Sequence, residues 1–373
     1  MPVITLCRTR RDFQRFENAG EDLNAGITGF CPPFPGSVVK MLSPESAFHR
    51  KHGEILPFLA THDGRVVGRI AAIINRTHNL HYGDRVGFWG FFDCEDNAET
   101  ASALFATAAV ALKARGVTTL RGPYNPSIND ECGLLVQGND IPVFIGLTWN
   151  PAFYERLVTS CGFSAVREMY GYQLPLHRLE FPERLRKIVE RAAKRAHLIL
   201  RPIKMAILEK EMEIIHEVYN STLERNWGFT PISMEDLMVA ADDMKAIADP
   251  AMILIAEMDG ANAGIALSLP NINEILVMTK RTPRWLRLLH VAWLMKTRRI
   301  DTARQVIYGI SPRYRDKGGL HAWLLYEQFQ KAKERYHDAE LGWIEESNTE
   351  IIEHVRLLGA NQHRTWRFYE KAL

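Results

Sequence analysis

Two stretches with short apolar runs on either side of a polar turn give the clearest pattern in the chain. "ATHDGRVVGRIAAI", from Ala60, and "AEMDGANAGIALSL", from Ala256, both place an Asp-Gly dipeptide between apolar runs. This dipeptide between apolar runs is a strong signal for a β-hairpin with a two-residue turn. The stretches align at a separation of 196 residues, as Asp63 and Asp259 illustrate. The pattern therefore predicts a repeated hairpin.

Further matches extend this repeat along the chain. Gly162 and Gly359 are 197 residues apart, whereas Leu104 and Leu324 are 220 apart, as expected if the second copy gained a segment. Each copy is predicted to run helix, hairpin, strand, helix, strand, helix and final strand. Strands mixed with helices of this length predict an α/β (α+β) fold, with two tandem mixed-sheet units and helices on both faces.

The repeat sets the predicted domain boundaries. We expect a first copy over residues 1–180, a basic linker helix over 181–200 and a second copy over 201–373. The linker is basic and helix-patterned from Pro182 to Ala196, which is typical of a solvated helix.

A basic, glycine-bearing stretch precedes one predicted helix of the second copy. In "ISPRYRDKGGLHAWLL", Arg315 and Lys317 stand beside Gly318 and Gly319, directly before the helix-patterned run. One interpretation is a solvated turn that caps the helix. The other is a loop whose backbone N–H groups and cations bind phosphate at a helix N-terminus.

The first copy provides an internal control for this loop. At the 220-residue separation, "YRDKGGL" faces "CEDNAET", which places Glu95, Asp96 and Glu99 at the start of the helix. Carboxylates there suit the helix dipole and would repel a pyrophosphate. Glycines instead let a ligand approach the backbone closely. The comparison favours anion binding by the second copy only.

Composition narrows the class of protein. The 373 residues carry 46 basic and 44 acidic side chains, a net charge of +2, so no overall field attracts nucleic acid. Five scattered cysteines without a CxxC pair indicate reduced thiols, and the 13 histidines form no recognisable metal motif. The N-terminus lacks a signal-peptide core, and no apolar run approaches the ~18 residues of a membrane span. We therefore expect a cytoplasmic protein with no metal and no nucleic-acid partner.

"SPRYRDKGGLHAWLL" resembles the acyl-CoA pyrophosphate loop of the GNAT acyltransferase superfamily. That loop reads Arg or Gln, two residues, Gly, one residue, then Gly or Ala; Arg315, Gly318 and Leu320 take these places, and Leu320 departs from the pattern. The resemblance covers the whole chain as two tandem GNAT-like units, the first without the loop. It implies acyl-CoA or acetyl-CoA as the donor, bound by Ile310, Arg315, Asp316, Lys317, Gly318, Gly319 and Leu320.

A narrower resemblance rests on three other segments. "GPYNPSINDECGLLVQG", "NWGFTPIS" and "FYEKAL" are similar to a bacterial tandem-GNAT family, some members of which are associated with bacterial ceramide synthesis. That reaction is the N-acylation of a sphingoid base. The resemblance therefore implies a long-chain amine as acceptor and a place in sphingolipid metabolism.

The GNAT resemblance also implies where the chemistry occurs. A backbone N–H near Gly309 and Ile310 would bind the thioester oxygen, and the fifth strand, "AELGWIEESN", ends nearby. Because successive strand residues face opposite ways, Glu345 and Glu346 cannot both face the cleft. We assign Glu346 as the base and Asn348 as a residue lining the site. The alternative is that both carboxylates are solvated charges at a strand end.

The proton donor is not identified by the resemblance. The tyrosine that this superfamily often uses in the helix after the fifth strand is absent from "NTEIIEHVRLLGA". Tyr369 remains, but its counterpart Tyr172 lies in the copy without the loop, which indicates packing for both.

An extra segment in the first copy, "PYNPSINDECGLLVQGNDIPVF", is rich in polar residues. Asn125, Asn129, Asp130 and Glu131 are candidates to complete a substrate site, with Glu131 as a catalytic candidate. The alternative is a polar loop stabilised by its own Asx turns.

An extra segment in the second copy, residues 278–300, is basic and amphipathic. Seven basic and no acidic residues lie between Glu274 and Asp301. On a helix Trp285, Leu289 and Trp293 share one face, and the arginines lie mainly opposite. This arrangement suits an interfacial membrane helix over 282–300 at the inner face of the membrane. A helix packed on the domain core or on a partner is the alternative.

Together these features predict an acyl-CoA-dependent N-acyltransferase that acts on an amine, with a sphingoid-base-like lipid as acceptor. Two alternatives stay open at this point. One is acetyl transfer to a small polar amine, and the other is a non-catalytic CoA-binding or scaffold protein.

Overall fold

The two predicted hairpins are present, and both turns have the backbone that Asp-Gly favours. The structure, a computed structural model, describes residues 1–194, 197–315 and 319–373. Asp63 and Gly64 have φ values of 50° and 77°, and Asp259 and Gly260 have 53° and 77°. Positive φ at both central positions is the signature of a type I′ turn, whose twist matches that of the flanking strands.

The strands in chain order are β1 Val3–Leu6, β2 Gly53–His62, β3 Arg65–Asn75, β4 Val86–Cys94, β5 Thr119–Gly122, β6 Tyr124–Asn125, β7 Glu131–Cys132, β8 Leu134–Gln137, β9 Ser164–Pro175, β10 Leu198–Pro202, β11 Ile253–Met258, β12 Ala261–Pro270, β13 Thr302–Ile310, β14 Asp338–Glu345 and β15 Asn361–Ala372. The α-helices are α1 Arg10–Asn24, α2 Ser37–Leu42, α3 Arg76–Tyr82, α4 Ala98–Lys113, α5 Tyr154–Ser160, α6 Glu183–Ala193, α7 Leu208–Leu223, α8 Met234–Met244, α9 Asn273–Met278, α10 Arg284–Thr297, α11 Leu320–Arg335 and α12 Thr349–Leu357.

The chain forms two compact units, whose boundaries differ from the sequence halves. The first unit comprises Met1–Met169, Asn273–Arg298 and Arg364–Leu373, and the second comprises Tyr170–Ile272 and Arg299–His363. Most of the basic insert therefore groups with the first unit, although it lies in the second half of the sequence. The chain end does so as well, because β15 pairs with β5 from Tyr369↔Gly122 to Ala372↔Thr119.

Each unit contains a mixed sheet, as predicted. In the first unit the order is β1-β2-β3-β4-β5-β15, and in the second it is β9-β14-β13-β12-β11-β10. Helices cover both faces of the second sheet. Ile253 and Ile255 of β11 pack in a cluster with α7, whereas Leu254 and Ala256 pack with α11. This alternation follows from the two-residue period of a strand.

The basic helix after the first copy differs from the solvated linker that its sequence favours. Residues 183–193 form α6, in which Val189 and Ala192 are buried. Ala192 belongs to the same apolar cluster as Leu320 and Leu324 of α11. The helix therefore packs within the second unit through a narrow apolar stripe. Its overall composition is so highly charged that the stripe is not evident from the residue counts.

The repeat is visible in matching contacts inside the two units. A Cβ atom added at Gly68 would lie 2.8 Å from Leu104, and one added at Gly264 would lie 3.4 Å from Leu324. The 220-residue separation therefore holds for the helices α4 and α11. For the strands it is wrong: Gly68 pairs with Cys94 and Gly264 with Ile310, which are 216 residues apart. The connection after β13 is thus longer than the one after β4, so the residue-by-residue match between the two loops does not hold.

Both tyrosines suspected of packing are buried. Tyr172 is fully buried and its hydroxyl donates to Gln362, while the Tyr369 hydroxyl donates to Glu155 at 2.7 Å. Burial and the hydrogen bond to Glu155 raise the pKa of Tyr369 well above its usual value. These contacts account for both side chains without a catalytic role.

Candidate active site

The parallel strands β13 and β14 separate before either of them ends. Their pairing runs from Thr302↔Asp338 to Gln305↔Leu341, whereas β13 continues to Ile310 and β14 to Glu345. The last residues of β13 remain paired with β12 on the other side. A gap therefore opens between the carboxyl ends of β13 and β14, in the second unit.

One backbone N–H group of β13 faces this gap. Ser311 N donates to Ala263 O, and Gly264 is opposite Ile310. In an antiparallel pair the N–H groups of successive residues point to opposite edges of the strand. Because the Ser311 N–H points towards β12, the Ile310 N–H points towards the gap. This is the position at which the GNAT resemblance implies a donor for the thioester oxygen.

Several residues on the strands and helices next to the gap have buried polar atoms without hydrogen-bond partners in the described part of the chain. Among the described residues, Thr222 Oγ1, Gln305 Nε2, Trp343 Nε1 and His354 Nδ1 are buried and have no hydrogen-bond partner. Such atoms are uncommon in folded proteins, and several together indicate a place for a ligand or for ordered water. Thr222 packs on the backbone of Gly309, where an added Cβ atom would lie 2.4 Å from Thr222 Cγ2.

The loop after β13 is only partly described, since Asp316, Lys317 and Gly318 lie outside the described residues. Arg315 is exposed, and its guanidinium donates to Thr222 O at 3.1 Å and to Ile310 O at 3.4 Å. Its side chain therefore braces the start of the loop against α7 and β13.

Gly319 and Leu320 explain the departure from the loop pattern of the superfamily. Gly319 has a φ of 76°, and an added Cβ atom would lie 2.9 Å from Ile188, so a glycine is required there. Leu320 is fully buried in the cluster that contains Ala192 and Leu324. The glycine directly before α11 makes the left-handed turn, and the next residue belongs to the core.

The corresponding gap of the first unit is filled by its own chain. The β4–β5 pairing ends at Phe88↔Arg121, and Phe91 N donates to Asn125 Oδ1 at 2.6 Å. A Cβ atom added at Gly90 would lie 1.6 Å from Tyr124 O. The Asn125 side chain therefore satisfies the Phe91 N–H group inside the first unit, and its place in a substrate site stays a prediction.

Comparisons with known proteins agree with this geometry. The chain is 30% identical to the bacterial ceramide synthase of Caulobacter vibrioides (strain NA1000 / CB15N), over 98% of this chain and 96% of that protein. It belongs to the tandem-GNAT N-acyltransferase family of that synthase. No family model matches the chain.

Two further similarities support this assignment. Protein YghO of Escherichia coli (strain K12) is 30% identical over 85% of this chain and 82% of its own length. A solved tandem GNAT protein from the clavulanic acid biosynthesis pathway has a TM-score of 0.58 at 13% identity, over 100% of this chain and 98% of that chain. The latter shows the fold alone, and it confirms the two GNAT-like copies.

Glu345 and Glu346, the two carboxylates at the end of β14 of this N-acyltransferase, lie in different environments. Glu345 accepts hydrogen bonds from Trp227 N at 3.2 Å and from the Ser347 hydroxyl at 3.0 Å, so it faces the segment between α7 and α8. Glu346 is half-buried. Asn348 caps α12 by accepting from Ile351 N at 3.4 Å, and its place in lining the site stays a prediction.

The polar loop of the first unit is stabilised locally. The Ser127 hydroxyl donates to Asp130, and Asn129 N donates to Ser127 Oγ at 3.2 Å. These bonds form a turn around a serine hydroxyl, which stabilises the loop locally in the way that the predicted Asx turns would. Glu131 is exposed on β7, and its catalytic role stays a prediction.

Sequence reasoning missed the polar residues around the gap. Thr222, Trp343 and His354 lie on α7, β14 and α12 and share no motif or spacing. A weak signal for His354 was available, because the GNAT resemblance implies a proton donor on the helix after the fifth strand and His354 lies on that helix, α12.

The basic insert forms α10 within the first unit, and α10 is attached through its arginine face. Arg284 and Arg287 pair with Glu21 of α1, and Arg284 also contacts Asp22. Arg287 is buried, whereas the apolar face is exposed: Trp285 by 82%, Leu288 by 53%, Leu289 by 68% and Trp293 by 55%. Among the described residues, no helix is long and apolar enough to cross a bilayer.

Proposed function

We propose that this N-acyltransferase uses acyl-CoA to acylate the amine of a sphingoid-base-like lipid. The observation that carries the proposal is the gap between β13 and β14, which has an inward N–H group at Ile310 and unpartnered buried polar atoms around it. Support for the acceptor comes from the 30% identity to a protein named bacterial ceramide synthase.

The residues present fit an acyl-CoA donor in the second unit. When bound, acyl-CoA would supply an acyl group activated as a thioester. The open N-terminus of α11 and the basic loop before it would hold the pyrophosphate. The Ile310 N–H would donate to the acyl oxygen, where negative charge develops during transfer. The first unit has no comparable space, since Asn125 and Tyr124 fill it.

The chain would also handle the proton of the amine. A sphingoid base is an ammonium ion at neutral pH, and only its neutral form attacks a thioester. Glu346 at the end of β14 is our candidate to accept this proton, directly or through water. We thereby assign removal of the amine proton to a residue directly after β14, the strand that borders the gap.

The direct test is product formation by the purified chain. Long-chain acyl-CoA and a sphingoid base are incubated with the protein, and the amide is identified by mass spectrometry. Acetyl-CoA with a short polar amine is the contrasting pair. Amide formed only from the lipid pair supports the proposal, whereas acetylation of the polar amine alone would favour the small-molecule alternative.

We further propose that α10 attaches the protein to the surface of an anionic bilayer. The motivation is its orientation: the arginines that would otherwise stay hydrated pair with Glu21 and Asp22, and the tryptophan face is left exposed. Further basic residues, Arg281, Lys296 and Arg298, are exposed along the same segment and are complementary to anionic headgroups. A bilayer is also where a long-chain amine is found.

Trp285→Ser with Trp293→Ser should weaken binding to anionic vesicles by about 10²-fold or more, because burying each large apolar side chain contributes roughly 2 kcal/mol. Thermal stability should barely change, since both side chains are exposed. Binding of the unaltered protein should fall only partly at high salt, because the apolar contribution is not screened. Vesicle sedimentation measures both effects.

Leu80→Ser is a matched control for this pair. Leu80 is 84% exposed on α3 of the same unit but lies outside the apolar face of α10. If this substitution weakens vesicle binding as much as the tryptophan pair does, the assignment to α10 is wrong. Failure of the unaltered protein to bind at low salt would also contradict it.

A further inference from the structure

Two histidines are in contact between α11 and α12, the helices that follow β13 and β14. His321 is the second residue of α11, which follows β13, and His354 lies on α12, which follows β14. Their ring centroids are 5.3 Å apart. The Tyr308 ring of β13 lies 5.1 Å from the His321 ring, and the Tyr308 hydroxyl donates to His321 O at 3.0 Å. Because Tyr308 lies beyond the last β13–β14 pair, the histidine pair lies beside the gap.

The rings of His321 and His354 differ in their surroundings and therefore in what each can do. Burial, reinforced by the neighbouring His354, lowers the pKa of His321 to about 4, so this ring is neutral at physiological pH. Tyr308 is half-buried, and loss of hydration raises the pKa of its hydroxyl far above the usual value, so the hydroxyl keeps its proton. His354 therefore has no charged ring beside it, and its Nδ1 is buried without a partner among the described residues.

Amide formation requires a proton donor at the sulfur. The bond between the acyl carbon and sulfur breaks, the bond between the acyl carbon and nitrogen forms, and the departing thiolate takes up one proton. An ammonium substrate loses two protons in the same reaction, so one can replace the proton given to sulfur and the other is released. α12 contains no tyrosine, so a proton donor on this helix must be another residue type.

We propose that His354 donates this proton to the departing thiolate, with His321 as the neutral ring that positions it. The inference rests on the proposed function, because it takes a thioester in the β13–β14 gap as given. Each ring comes from the helix that follows one of the two strands, so the pair is attached to both edges of the gap.

The test compares two leaving groups. His354→Gln should lower kcat with acyl-CoA by about 10²-fold, the usual scale for removing a general acid. The affinity for acyl-CoA should change little. With an acyl thioester of an aromatic thiol, whose thiolate leaves without a proton, the loss relative to the unaltered protein should shrink to about tenfold or less. A purely structural role would reduce both reactions equally.

Controls separate the possible failures. His177→Gln alters an exposed histidine of the same unit and should leave both reactions unchanged. His354→Asn is used in the same comparison if His354→Gln lowers the melting temperature. Equal losses with both thioesters, or an unchanged kcat, would overturn the role of His354. Absence of any amide from the unaltered protein would instead overturn the proposed function.

Discussion

Glu346→Gln is expected to lower turnover at saturating substrates by about 10²-fold or more, the usual effect of removing a general base. The substitution keeps the size and hydrogen-bonding capacity of the side chain while removing the basic oxygen. Binding of acyl-CoA should be nearly unchanged, since Glu346 lies at the end of β14 and outside the basic loop. The measurements are kcat from amide formation and the acyl-CoA dissociation constant from calorimetry.

Glu345→Gln is the matched comparison, because the neighbouring carboxylate faces the other way along the strand. Its oxygens accept from Trp227 N and from the Ser347 hydroxyl, and an amide can replace only one of these acceptors fully. We expect a higher KM for the acceptor amine and a smaller effect on kcat. If Glu345→Gln abolishes turnover and Glu346→Gln does not, the two carboxylates exchange roles.

Lys317→Glu combined with Gly318→Asp should weaken acyl-CoA binding by about 10²-fold or more. Two carboxylates would replace a cation and an open backbone beside a pyrophosphate, and each charge-assisted hydrogen bond lost costs roughly 1.5–3 kcal/mol. Gly319 is left unchanged in this variant. Its φ of 76° and the 2.9 Å approach to Ile188 mean that a side chain there would strain the fold and confuse the result.

Ala98→Asp in the first unit is the control for this loop variant. Ala98 is the first residue of α4, which follows β4 as α11 follows β13, and it is exposed. Because the gap beside it is filled by Asn125, we expect no change in the affinity for acyl-CoA. Equal losses from the two sites in calorimetry would contradict the assignment of the donor to the second unit.

The two units explain how a duplicated fold can specialise. In the second unit, buried polar atoms of Thr222, Gln305, Trp343 and His354 lack partners among the described residues, and the residue before α11 is Gly319. In the first unit two asparagines satisfy backbone N–H groups beside the gap: Asn125 accepts from Phe91 N, and Asn97 caps α4 by accepting from Thr100 N. A copy that satisfies its own backbone gains stability from these hydrogen bonds but loses the space for a ligand.

Much of this protein was predictable from local patterns in the sequence. The Asp-Gly turns at 63–64 and 259–260 determine the two hairpins, because the turn conformation is set by the residues within it. The α/β class follows from the alternation of strand and helix periods, and the family follows from short segments whose residues are adjacent in the chain. The opposite faces of α10 were predictable for the same reason, since helical spacing alone places Trp285 and Trp293 together and Arg287 opposite.

Which of these elements contact one another could be read only from the folded structure. Spacing cannot say which face of α10 is buried; the carboxylates of Glu21 and Asp22 on α1 decide it, from more than 260 positions away in the chain. Asn125 fills the first gap, and Thr222, Trp343 and His354 gather around the second, because strands and helices distant in sequence pack together there. The helices and strands, their repeat and the family were predictable from the sequence, because each depends on residues that are close together in the chain. Contacts between residues that are distant in sequence determine which gap stays open and which face of α10 stays exposed. These contacts exist only in the folded chain.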